Sequence, residues 1–146
     1  MRPEEAAARA LAAILPTLPR PEETQPADAR LRAFFREHPS LGKRERTQAA
    51  DLVFDVLRNL RLYRVLATGD LHAEDVSPER LVAQASAALV AEAGAGEAGA
   101  DLAGAGQASL AEVADPRLAQ LPAAVRYSLP DWLWERLQAV HGDAAE

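Results

Sequence analysis

Apolar residues along this chain recur three and four positions apart, and no stretch alternates in twos long enough to predict a strand. Ala7, Leu11, Ile14 and Leu15 predict a first helix over 4–15. Pro16, Pro19, Pro21 and Pro26 make 16–25 an extended, acidic connection. A second helix is expected over 26–38, with proline in its first turn; Leu31, Phe34, Phe35 and His38 share one face, and Arg32 and Arg36 lie opposite. Pro39 and Gly42 break it. The strongest pattern runs over 43–59, where Ala49, Ala50, Leu52, Val53, Phe54, Val56 and Leu57 cover more than half the circumference. An arc that wide predicts a central helix surrounded by others, with Phe54 in the core.

A short helix over 60–67 should end at Gly69, a C-terminal cap. Asp70 to Val76 is a polar link. Ser77-Pro78-Glu79 starts another helix with a capping serine, a first-turn proline and an acid near the positive end of the dipole. Leu81, Val82, Ala85, Ala88 and Leu89 form its apolar face. From 91 to 108, 13 of 18 residues are alanine or glycine, which predicts a flexible insertion. Ser109 and Glu112 form a capping box for a short helix. Prolines 116, 122 and 130 segment the remainder, and a last helix over 130–141 carries Trp132, Leu133 and Leu137, with Trp132 as its anchor on the core. The expected fold is all-α, a compact bundle of five to seven helices.

Composition narrows the chemistry. The chain has 146 residues, the size of one domain, and 33 of its hydrophobic residues are alanine. It holds no cysteine, so disulfides, thiolate metal sites and cysteine nucleophiles are excluded. The three histidines, at 38, 72 and 141, share no metal-ligand spacing, so no metal site is expected. No apolar run reaches the roughly 18 residues of a membrane span, and Glu4, Glu5 and Arg9 interrupt any leader-like start. These features predict a soluble, cytoplasmic protein. Gly94-Ala95-Gly96-Glu97-Ala98-Gly99 matches the spacing of a dinucleotide loop, but that loop needs a strand before it and a helix after it; here a helix precedes.

Charge is the informative signal. The net charge is -6, yet residues 30–64 carry nine basic against four acidic side chains. Arg30, Arg32, Arg36, Lys43, Arg44, Arg58, Arg61 and Arg64 are the candidate contacts to an anionic partner, foremost nucleic acid. Arg46, the ninth, lies on the apolar side of its helix and is expected to bond a carboxylate as a structural residue.

Two stretches resemble a known family. Ala27-Asp28-Ala29-Arg30-Leu31-Arg32-Ala33-Phe34-Phe35-Arg36-Glu37, then Leu41-Gly42-Lys43-Arg44-Glu45-Arg46 and Val56-Leu57-Arg58, are similar to the N-terminal domain of the Sun/Nop family of ribosomal RNA cytosine-5 methyltransferases. Ser128-Leu129-Pro130-Asp131-Trp132-Leu133 resembles the family's segment joining that domain to the catalytic part. The resemblance implies a NusB-like helical RNA-binding domain over 1–127 and a junction over 128–146. It implies ribosomal RNA as partner, and S-adenosylmethionine bound by a methyltransferase domain that this chain does not contain. The sequence has no strand–loop–helix for that cofactor and no cysteine to attack a cytosine, so the chain alone is expected to hold no cofactor and to catalyse nothing. Two other functions fit the same residues: a stand-alone antitermination factor, and a structural module packing on its own catalytic domain.

Overall fold

The computed structural model describes residues 1–18, 26–96 and 117–141. Among the described residues there are seven α-helices and no strand, so the chain is all-α. Helix α1 spans Pro3–Ile14, with Pro3 in its first turn and Glu4 and Glu5 beside its positive end. A 3-10 turn, Leu15–Thr17, follows, where the Thr17 hydroxyl donates to the Ile14 carbonyl at 2.6 Å.

Helix α2 spans Ala27–Glu37 and α3 spans Lys43–Arg58. Pro26 is not in the first turn of α2 but immediately before it, with extended backbone. The predicted face of α2 is the inner one. Leu31 is buried, Phe34 and Phe35 pack against the core, and His38 stacks on Phe34 with ring centroids 4.1 Å apart. Pro39 excludes His38 from helical geometry, and α2 stops there. Arg46 closes the turn that follows. Its Nε donates to the Leu41 carbonyl at 2.8 Å and its Nη2 to the Pro39 carbonyl at 3.2 Å. Arg46 is therefore structural, but its partners are backbone carbonyls rather than the expected carboxylate, because the turn exposes acceptors that no helix satisfies.

Helix α4, Leu60–Thr68, begins after a single break at Asn59. Asp55 secures that corner, accepting from Tyr63 Oη at 2.6 Å and from Asn59 Nδ2 at 3.0 Å. Gly69 ends α4 at φ 78°, the left-handed conformation glycine adopts without a Cβ penalty. Helix α5 spans Pro78–Gly96, with the Ser77 hydroxyl accepting from the Arg80 amide. It runs six residues into the stretch predicted as a flexible insertion. Alanine is the best helix former, and extending an existing helix needs no new nucleus. The rest of that stretch, and the capping box at Ser109 and Glu112, lie outside the described residues.

After a 3-10 turn at Leu118–Gln120 come the short α6, Ala123–Arg126, and α7, Asp131–His141. The core sits elsewhere than the apolar arc of 43–59 predicts. Helix α1 is the hub, packed against α2, α3 and α5 and burying Ala6, Ala7, Ala8, Ala10, Leu11 and Ile14. Helix α3 contributes one flank through Ala49, Leu52, Val53 and Val56. Phe54 is not in the core: it is 38 % exposed, because it lies on the far side of α3 from those four residues. Helix α4 serves two clusters. Tyr63 joins the main core, while Leu62 and Val65 pack with Leu118 and Val125 in a second one.

Candidate nucleic-acid interface

The eight candidate basic residues do not form one patch. Arg32 and Arg36 are exposed on the outer face of α2, where Arg32 pairs with Asp28 one turn earlier; Arg30 is half-buried. Lys43 and Arg44 are exposed in the first turn of α3. Arg58 ends α3, and the rise of 1.5 Å per residue puts it about 22 Å along the axis from Lys43.

One exposed stripe links those two ends. Lys43, Thr47, Asp51, Phe54 and Arg58 are spaced four, four, three and four residues apart, fall on one side of α3, and are all exposed. The stripe thus offers cations at both ends and an aromatic ring between them, with Asp51 as its one acid. That is the composition of a surface that binds phosphates and stacks bases. Sequence reading placed Phe54 in the core, because counting every apolar position of 43–59 as one arc hides a lone aromatic on the opposite side.

At its Arg58 end the stripe meets a pocket of about 360 Å³ between α3, α4, the 71–74 loop and the 128–130 segment. Arg58, Arg61, Arg64 and His72 line it, beside Leu57, Leu71 and Pro130. The three arginines there are not equivalent. Arg61, expected to contact RNA, is occupied: Nη1 donates to the Leu129 carbonyl at 2.5 Å, and Nη2 pairs with Asp131 at 2.7 Å. It clamps the segment read as a junction onto α4. Arg64 is half-buried, and its Nε has no acceptor among the described residues.

Ser128 completes the clamp. Its hydroxyl accepts from the Arg61 amide at 3.0 Å and the Leu62 amide at 3.4 Å, the second and third residues of α4. A residue 67 positions away thus does what a helix N-cap side chain does, while Asn59, the local cap, makes no such bond. Ser128 holds φ 55°, the one non-glycine residue with positive φ among those described.

Trp132 is not an anchor: it is 64 % exposed on α7. Trp134 instead stacks on Tyr127 with centroids 5.9 Å apart and is half-buried, as are Leu133 and Leu137. Positions 133, 134 and 137 share a helical face that position 132 borders but does not enter. The glycines of the dinucleotide-like motif begin at the C-terminal end of α5, where free carbonyls rather than amides would meet a phosphate. Among the described residues no cluster of three metal-ligating side chains occurs, and no helix is long and apolar enough to cross a membrane. Comparison with known proteins finds no matching family model, no matching curated protein and no matching solved structure.

Proposed function

We propose that this chain is an RNA-recognition module that holds single-stranded RNA along α3. The observation carrying the reading is the stripe itself: Phe54, exposed, lies between Lys43 and Arg58 on one solvent face. Phosphates are drawn to the cations, and an unstacked base gains about 1–3 kcal/mol on an aromatic ring. The resemblance of the 27–58 and 128–133 stretches to the Sun/Nop family supplies the finer part of the proposal. On that footing the RNA is ribosomal, and the module serves an S-adenosylmethionine-dependent cytosine-5 methyltransferase whose catalytic domain is a separate unit. A second reading, a module that packs on another domain, is favoured by Trp132 and Val140, 64 % and 69 % exposed on α7.

Fluorescence anisotropy with a labelled single-stranded RNA decides between them. With four phosphates neutralised, by Lys43, Arg44, Arg58 and Arg64, log affinity falls against log salt with a slope of about -3. Phe54→Ala weakens binding about tenfold, the equivalent of one lost stack, without changing that slope. Absence of RNA binding at low salt removes the first reading and leaves the second.

A further inference from the structure

We infer that the pocket between α3, α4 and the 128–130 segment is a binding site for one nucleotide unit, its phosphate on Arg58 and Arg64 and its base against Leu57, Leu71 and Pro130. This rests on the RNA reading for its biological ligand, but not for its chemistry. Three observations carry it. The volume of about 360 Å³ lies at the small end of the range, roughly 300–1,000 Å³, that holds small molecules.

Its charge is also unspent. Arg61 is neutralised by Asp131, and Glu74 supplies one carboxylate to the lining, but neither Arg58 nor Arg64 has a side-chain partner among the described residues. Both guanidiniums line the pocket, and a phosphate is the anion whose oxygens arginine geometry fits best. Finally, the lining pairs this charge with leucine and proline surface, which a bare phosphate does not use and a base does. The pocket also continues the α3 stripe, since Arg58 belongs to both, so a strand stacked on Phe54 reaches it within one helical turn.

The test titrates the chain with 5′-AMP, with adenosine, with inorganic phosphate and with the trinucleotide ApApA, followed by amide chemical shifts in ¹H–¹⁵N spectra. The expected result is that 5′-AMP and ApApA move the amides of Leu71, Ala73 and Ser128, and that 5′-AMP binds at least tenfold tighter than adenosine or phosphate. Arg58→Gln with Arg64→Gln should lower that affinity at least tenfold. The unaltered chain's shift map reads the site even if the double variant fails to fold. Binding of 5′-AMP without ApApA keeps the pocket and assigns it to free nucleotides, against the RNA reading. Long RNA binding by anisotropy, with no shifts at these amides from any small ligand, overturns the pocket and leaves the RNA reading standing. No binding of any of these ligands overturns both.

Discussion

Ser128 combines an unfavourable backbone with a favourable side chain, and substitutions separate the two. Its hydroxyl caps α4 through the Arg61 and Leu62 amides, and its φ of 55° is a conformation that costs an L-residue roughly 1–2 kcal/mol. Ser128→Ala removes the cap and keeps the strain, for a loss of about 1 kcal/mol within the 0.5–2 range for N-caps. Ser128→Gly removes the cap too but relieves the strain, less roughly 0.5–1 kcal/mol of added unfolded-state freedom. Glycine should therefore sit about 0.5–1 kcal/mol above alanine and close to the natural chain. Ser128→Asn should match or exceed the natural chain, because asparagine tolerates left-handed geometry and its carbonyl can cap. Urea unfolding read by tryptophan fluorescence suits the question: both tryptophans lie in α7, a few residues on, and Trp134 is half-buried. At this chain length 1 kcal/mol moves Tm by about 4 °C. An alanine variant as stable as the natural chain would refute the cap, and a glycine variant less stable than the alanine one would refute the strain.

Four further outcomes follow from the geometry. Phe54→Ala should cost less than about 1 kcal/mol of stability in thermal melts, because the ring is 38 % exposed and outside the core, whereas Leu62→Ala, 1 % exposed, should cost about 2–5 kcal/mol. Arg46→Ala should lower stability by about 1–2 kcal/mol in urea titrations through its two lost carbonyl bonds, with Arg46→Lys recovering at most part of it. Lys43, Arg44 and Arg58 changed together to Glu should cut RNA affinity more than tenfold by anisotropy while the far-UV spectrum holds, since all three are exposed. Calorimetry with S-adenosylmethionine should give no binding heat from this chain; a micromolar Kd would overturn the proposal that the cofactor belongs to a separate domain.

Helix boundaries from 27 to 80 were legible because their signals are local. Pro39 and Gly42 break the chain after α2, Gly69 supplies positive φ, and Ser77-Pro78 caps and starts α5. The hub was not legible. Alanine carries little hydrophobic signal, so α1 reads as weak although Ala6 and Ala7 are fully buried, and only tertiary packing shows it. The extent of α5 was missed for the same residue read the other way, as low complexity rather than as helix former. In the candidate site, the exposure of Arg32, Arg36, Lys43 and Arg44 follows from periodicity alone. The loss of Arg61 to Leu129 and Asp131 does not, because those contacts span 68 and 70 residues and have no local pattern. The pocket, built from the same long-range closure, was invisible for that reason.

The alanine hub sets an asymmetry in how the chain tolerates change. A core of leucines is damaged by shrinkage, since each lost methylene leaves a void. Helix α1 meets α2, α3 and α5 with Leu11, Ile14 and four alanines, Ala6, Ala7, Ala8 and Ala10, and the alanines have almost nothing to lose. What it cannot absorb is growth. Valine in place of Ala6 or Ala7, both 0 % exposed, adds two methyl groups where neighbouring helices already touch, at about 1–3 kcal/mol for overpacking plus a fraction of that for poorer helix propensity. Alanine codons reach valine codons by one C-to-T change at the middle base, a frequent kind of mutation. The centre of this fold is therefore open to a frequent genetic accident, while the exposed Arg32, Arg36, Arg44 and Arg58 of α2 and α3 can change at little cost in stability.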